Sequence, residues 1–95
     1  MPRVLVVDDE TGVRESLRML LKSDCEVVTA DSADAGLRAI EETPPDLVIL
    51  DLVMPGKSGL DFLSELNEYA DPPPVIVLTA TKTVTSAVEA MKLGA

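Results

Sequence analysis

Four short apolar runs, each followed by a segment of helical period, constrain this chain more than any other feature. The runs are RVLVV (3–7), EVVTA (26–30), DLVIL (46–50) and VIVLTA (75–80). Val and Ile dominate them, as buried strands require. Three runs, 3–7, 46–50 and 75–80, are nearly continuous in apolar residues and predict strands covered on both faces. EVVTA is more polar and reads as an edge. Between the runs the spacing turns helical. Val13, Leu17, Leu20 and Leu21 form one stripe, and Ala33, Leu37 and Ile40 a second, after an N-cap at Ser32 with Asp34 in the first turn. Phe62, Leu63, Leu66 and Ala70 form a third, opened by Ser58 with Asp61 at the capping-box position. Val84, Ala87, Val88 and Met91 form a fourth, stopped by Gly94. TPPD (43–46) and DPPP (71–74) punctuate the helix ends. The order β-α-β-α-β-α-β-α predicts an α/β fold, a parallel sheet with right-handed crossovers and helices on both faces.

The 95 residues make one small domain, 1–95, with no linker and no repeat. Only Phe62 and Tyr69 are aromatic, so the core is aliphatic. Eight basic against 17 acidic residues give a net charge of -9. Such a surface repels phosphate backbones and anionic lipid, which argues against direct nucleic-acid or membrane binding. No apolar stretch approaches the length of a membrane span. Met1-Pro2-Arg3 leads straight into the first run, so no signal peptide is expected. The single cysteine, Cys25, excludes an internal disulfide and fits a reducing, cytoplasmic compartment. The chain has no histidine, which removes imidazole acid–base chemistry and His-ligated metals.

In open α/β sheets the site lies at the carboxyl ends of the strands, where strand order reverses. The first run ends in Asp8-Asp9-Glu10, the second in Asp31, the third in Asp51, and the fourth in Thr79-Ala80-Thr81. If the first and third strands are neighbours, Asp8, Asp9 and Asp51 converge. Three carboxylates so close need protons or a cation. Magnesium suits them, because it takes oxygen from one or two carboxylates and keeps several waters. A carboxylate beside it can attack a phosphoryl group to give an aspartyl phosphate, and the Thr79 hydroxyl can bond a phosphoryl oxygen. Taken singly, Asp8-Asp9 reads more readily as a turn former or helix cap than as a site, and Asp51 reads as readily one way as the other. The joint pattern is what points to a site.

Two rivals fail on particular residues. Gly56-Lys57-Ser58 matches the end of a phosphate-binding P-loop, but the first glycine of that motif falls on Asp51, and Pro55 removes a backbone N–H. Gly56 is then a turn glycine and Lys57 a solvated side chain. A phosphatase with a strand-end Asp nucleophile needs a second Asp two positions on, and that position is Val53.

Together, VLVVDDE, DLVILDLVMPGKSGLDFL, PVIVLTA and AVEAMKLGA resemble the receiver domain of two-component response regulators over the whole chain. The resemblance implies a flavodoxin-like sheet of order 2-1-3-4-5. It makes Asp51 the phosphoacceptor, loaded with Mg2+ from a sensor histidine kinase or a phosphotransfer protein. Asp9 is then a direct magnesium ligand, Asp8 one partly through water, and Val53 a ligand through its backbone carbonyl. Thr79 is the switch hydroxyl, and Ala80 leaves room for the phosphoryl group. Such a domain is a self-phosphorylating acceptor, not a turnover enzyme, and drives an output, here transcription. The AVEAMKLGA ending is most similar to the enhancer-binding, NtrC-like activators. Family members continue with a fifth strand ending in lysine and a fifth helix. Lys57, Lys82 and Lys92 do not match that lysine, so the expected sheet is 2-1-3-4 in a chain incomplete at its C-terminus. The bare edge of the fourth strand, VIVLTA, and a sheet face left uncovered beside the first helix are expected to pair two copies into a homodimer. The alternative reading is a non-phosphorylated interaction or dimerisation fragment.

Overall fold

The structure, a computed structural model, describes residues 1–52 and 58–78. Along the chain lie β1 (Arg3–Val7), α1 (Thr11–Leu21), β2 (Glu26–Ala30), α2 (Ala33–Glu42), β3 (Leu47–Asp51), α3 (Gly59–Leu66) and β4 (Val75–Leu78). All strand pairs are parallel, and the sheet order is β2-β1-β3-β4. The α/β, flavodoxin-like order 2-1-3-4 therefore stands, with EVVTA on an edge. The stripe expected over 84–91 lies outside the described residues.

The ladder is locked at its amino end by one reciprocal pair. Arg3 N donates to the Asp46 carboxylate at 2.7 Å, and Asp46 N donates to Arg3 O at 2.8 Å. The Arg3 guanidinium also reaches Glu26 at 3.2 Å, so one residue ties β1 to its neighbours on both sides. Asp46 was expected inside the third strand. Its carboxylate folds back onto β1 instead, and the strand runs one residue later, Leu47–Asp51.

Side chains alternate across the sheet. Leu5, Val7, Val48 and Leu50 face α2 and α3, where Phe62, Leu63 and Leu66 are almost wholly removed from water. Val4, Val6 and Ile49 face α1 and meet Leu17 and Leu21. Two helix starts form as the sequence indicates. Ser32 accepts from Ala35 N at 3.1 Å, and Ser58 and Asp61 make a reciprocal capping box. Three expectations do not hold. Leu20 is 75% exposed, because the α1 stripe is centred on Leu17 and Leu21. Ala70 is exposed and lies beyond α3, which stops at Leu66 before the DPPP segment. β4 is not covered on both faces: Val75 and Val77 are half-buried, while Ile76 and Leu78 are exposed.

Candidate metal and phosphoryl site

β1 and β3 run side by side with Val7 opposite Leu50. The next residue on each is an aspartate, so the ladder itself brings Asp8 and Asp51 to one edge. Asp9 joins them. Each of the three offers a carboxylate oxygen, and these oxygens all lie within 4.8 Å of one another. Asp8 is the buried polar residue of the described core at 6% exposure, Asp51 is half-buried and Asp9 is exposed. The group thus opens from the core into solvent. Asp31, at the end of the edge strand β2, is not of this group.

Asp8 is held at three points. Its N–H donates to Ala30 O at 3.1 Å, continuing the β1–β2 ladder. Its Oδ1 accepts from Glu10 N at 2.9 Å, an Asx turn that reverses the chain into α1. Its carbonyl accepts from Arg14 Nη1 at 2.7 Å. Glu10, the N-cap residue of α1, makes no side-chain cap, so the Asp8 turn and the Arg14 tie order this loop.

Asp51 is framed by a close backbone approach. Gly59, the first residue of α3, donates its N–H to Leu52 O at 3.1 Å. A Cβ on Gly59 would lie 2.5 Å from Leu52 Cα and 2.6 Å from Asp51 O. Only glycine lets α3 start this near the strand end. The sequence reading missed both Gly59 and Arg14. A glycine directly after the N-cap Ser58 is the one local sign of the former. Nothing local marks the latter, since an arginine one turn into a helix is ordinary.

Three like charges within 4.8 Å repel, and a cation among them offsets the repulsion. The donor set is all carboxylate oxygen, which suits a hard cation such as magnesium and not a thiophilic metal. The residues present therefore fit that metal. Val53, Thr79 and Ala80 lie outside the described residues. The register places Leu78, the residue before Thr79, opposite Asp51. Ser58, the described serine of the GKSG stretch, spends its hydroxyl accepting from Asp61 N at 3.2 Å.

Such an acidic group at the carboxyl end of a 2-1-3-4 parallel sheet is a candidate cation site on a flavodoxin-like fold. The family model "Response regulator receiver domain" matches residues 4–95, and the chain belongs to that family. It is 43% identical over 96 residues to the transcriptional regulatory protein KdpE of Mycobacterium tuberculosis, covering 100% of this chain and 42% of that protein. It is 47% identical over 93 residues to the transcriptional regulatory protein FixJ of Azorhizobium caulinodans, covering 97% of this chain and 44% of that one. The chain thus spans less than half the length of these curated relatives. A receiver domain crystal structure from Clostridium thermocellum superposes with a TM-score of 0.91 at 38% identity, covering 100% of this chain and 78% of the other. A receiver protein from Pseudomonas putida gives 0.92 at 35%, covering 98% and 79%. None of these names speaks to the enhancer-binding subgroup. Receiver domains of response regulators are signalling domains phosphorylated on an aspartate. Among the described residues, no helix is long and apolar enough to cross a membrane.

Proposed function

We propose that residues 1–95 lie within one receiver domain in which Asp51 is the phosphoacceptor. The observation that carries this is the convergence of the Asp8, Asp9 and Asp51 oxygens within 4.8 Å at the carboxyl edge of the sheet. Asp51 is the member that ends a strand and stands half-buried, with access to solvent. Its carboxylate oxygen attacks phosphorus in line. The new O–P bond forms as the P–N bond of a phosphohistidine breaks, and the departing imidazole keeps the electron pair. Asp8, Asp9 and Asp51 would hold Mg2+, which when bound would neutralise charge on the transferring oxygens. The family resemblance adds the Val53 carbonyl as a ligand, Thr79 as the switch hydroxyl and Ala80 as the space for the phosphoryl group. The partner class is a sensor histidine kinase or phosphotransfer protein, the compartment the cytoplasm, and the output transcription. The domain turns over no external substrate, and a net charge of -9 argues against nucleic-acid contact by this segment.

Incubation with acetyl phosphate and magnesium, followed by intact mass, tests this reading. A single phosphoryl adduct is expected, absent from Asp51→Asn. An adduct of equal yield in Asp51→Asn would remove Asp51 from the role.

A homodimer through β4 is the second reading, supported by Ile76 at 50% and Leu78 at 39% exposure on one side of that strand. Light scattering after size exclusion, over a dilution series, tests it. A monomer at every concentration would exclude it.

A further inference from the structure

We propose that Arg14 is a positioning residue for the magnesium site, acting through the Asp8–Asp9 peptide. The inference rests on the reading of Asp8, Asp9 and Asp51 as that site. The Arg14 guanidinium is a fork: Nη1 donates to Asp8 O at 2.7 Å, and Nη2 donates to Thr11 Oγ1 at 3.0 Å. One arm therefore grips the loop, and the other grips the first turn of α1. Arg14 N also donates to Glu10 O at 3.2 Å, so the side chain springs from the first closed turn of the helix.

The gripped atom matters. Asp8 O belongs to the same planar peptide as Asp9 N, so holding that oxygen sets the plane from which Asp9 departs. Asp8 itself has its N–H on Ala30 and its Oδ1 on Glu10 N. Asp9 is exposed, with no core packing to orient it. The Arg14 tie supplies that orientation from the outside. It also compensates for the missing side-chain cap at Glu10, the N-cap residue of α1.

Position and charge have opposite signs here. A guanidinium near three carboxylates competes with a divalent cation for their field, so losing the charge alone would tighten metal binding. Losing the tie frees the Asp8–Asp9 peptide and loosens it. Outer partners of this kind are typically worth 10–100-fold in metal affinity. We expect the positional effect to win.

The test titrates magnesium alone into wild type, Arg14→Ala, Arg14→Lys and Asp9→Ala by calorimetry. Amide hydrogen exchange at Glu10 is followed in the metal-free proteins. Arg14→Ala is expected to bind magnesium about tenfold more weakly and to exchange its Glu10 amide faster. Arg14→Lys keeps the competing charge but not the fork, and is expected to bind magnesium at least as weakly as Arg14→Ala. Magnesium bound by Arg14→Ala as tightly as by wild type, or more tightly, overturns the proposal. Should Arg14→Ala fail to fold, wild-type affinity in Arg14→Lys does the same. Failure of the underlying metal reading looks different: wild type would then bind no better than Asp9→Ala.

Discussion

The two faces of the sheet differ in how completely they are closed. On the α2–α3 face, Phe62, Leu63 and Leu66 stand at 1% exposure or less against Val7, Val48 and Leu50. On the α1 face, the helix contributes no fully buried residue, and Leu20, Met19, Ile76 and Leu78 remain exposed. The strands are shared, so the difference comes from what covers them. Two helices meet on one side, with Gly36 letting α2 settle on Val7 and Phe62. A single described helix lies on the other. Stability among the described residues is therefore concentrated on one side of the sheet. The acidic site draws on both sides: Asp51 through Gly59 of α3, and Asp8 through Arg14 of α1.

Truncating one large side chain on each face is the strongest way to break this comparison. Phe62→Ala is expected to cost about 3–5 kcal/mol, the range for a buried aromatic. Leu17→Ala, on the more open face, is expected to cost about 1 kcal/mol. Urea unfolding measures both. Equal losses would mean that the α1 face is as closed as the other.

Gly36→Ala sharpens the same point. Its Cβ would lie 2.9 Å from Val7 Cγ2 and 3.0 Å from a Phe62 ring carbon. Overpacking of this kind costs about 1–3 kcal/mol. Gly12 is the control, because a Cβ there meets nothing within 4 Å. In an exposed helical position alanine is favoured over glycine, so Gly12→Ala is expected to be neutral or stabilising by up to about 1 kcal/mol. A destabilised Gly12→Ala beside an unaffected Gly36→Ala would reverse the assignment of tight and open contacts.

The sequence carried more of the closed face than of the open one. Ser32, Ser58, Asp61, Phe62, Leu63 and Leu66 act locally or sit on a strong stripe, and each appears where the pattern puts it. The convergence of Asp8 with Asp51 was legible too, because two strand ends plus a neighbouring order suffice to predict it. Leu20 misled, since a stripe of four leucines and valines does not say which edge of the helix the sheet covers. Asp46 misled because its partner, Arg3, is 43 residues away. Gly59 and Arg14 act on backbone atoms of another segment, and backbone approach leaves no trace in side-chain periodicity.

The helix starts give a smaller contrast. α3 has a reciprocal capping box, whereas α1 has no side-chain cap at Glu10. Ser58→Ala is expected to lower stability by about 1 kcal/mol, and Glu10→Ala by a few tenths at most. Thermal melts of the two variants compare them directly. A larger loss at Glu10 would show a capping role that the geometry does not contain.

The smallest effect belongs to Tyr69, which packs at the edge of the closed core. Burial pushes its phenol above the usual value of 10.0, with the nearby Glu41 and Glu65 charges adding to the shift. The Tyr69 hydroxyl donates to Glu41 Oε1 at 3.3 Å, a bond that exists only while the phenol keeps its proton. The folded state therefore holds that proton more tightly than the unfolded chain does. Its contribution is fully present below pH 10 and is lost as pH rises through the folded value. The chain has one tyrosine and no tryptophan, so alkaline absorbance reports this group alone. The folded protein is expected to titrate above 10.0, and Glu41→Gln to bring the midpoint down toward it. Tyr69→Phe should make the alkaline loss of stability less steep. A wild-type midpoint at or below that of the urea-unfolded chain would place Tyr69 in open solvent and detach it from the closed face.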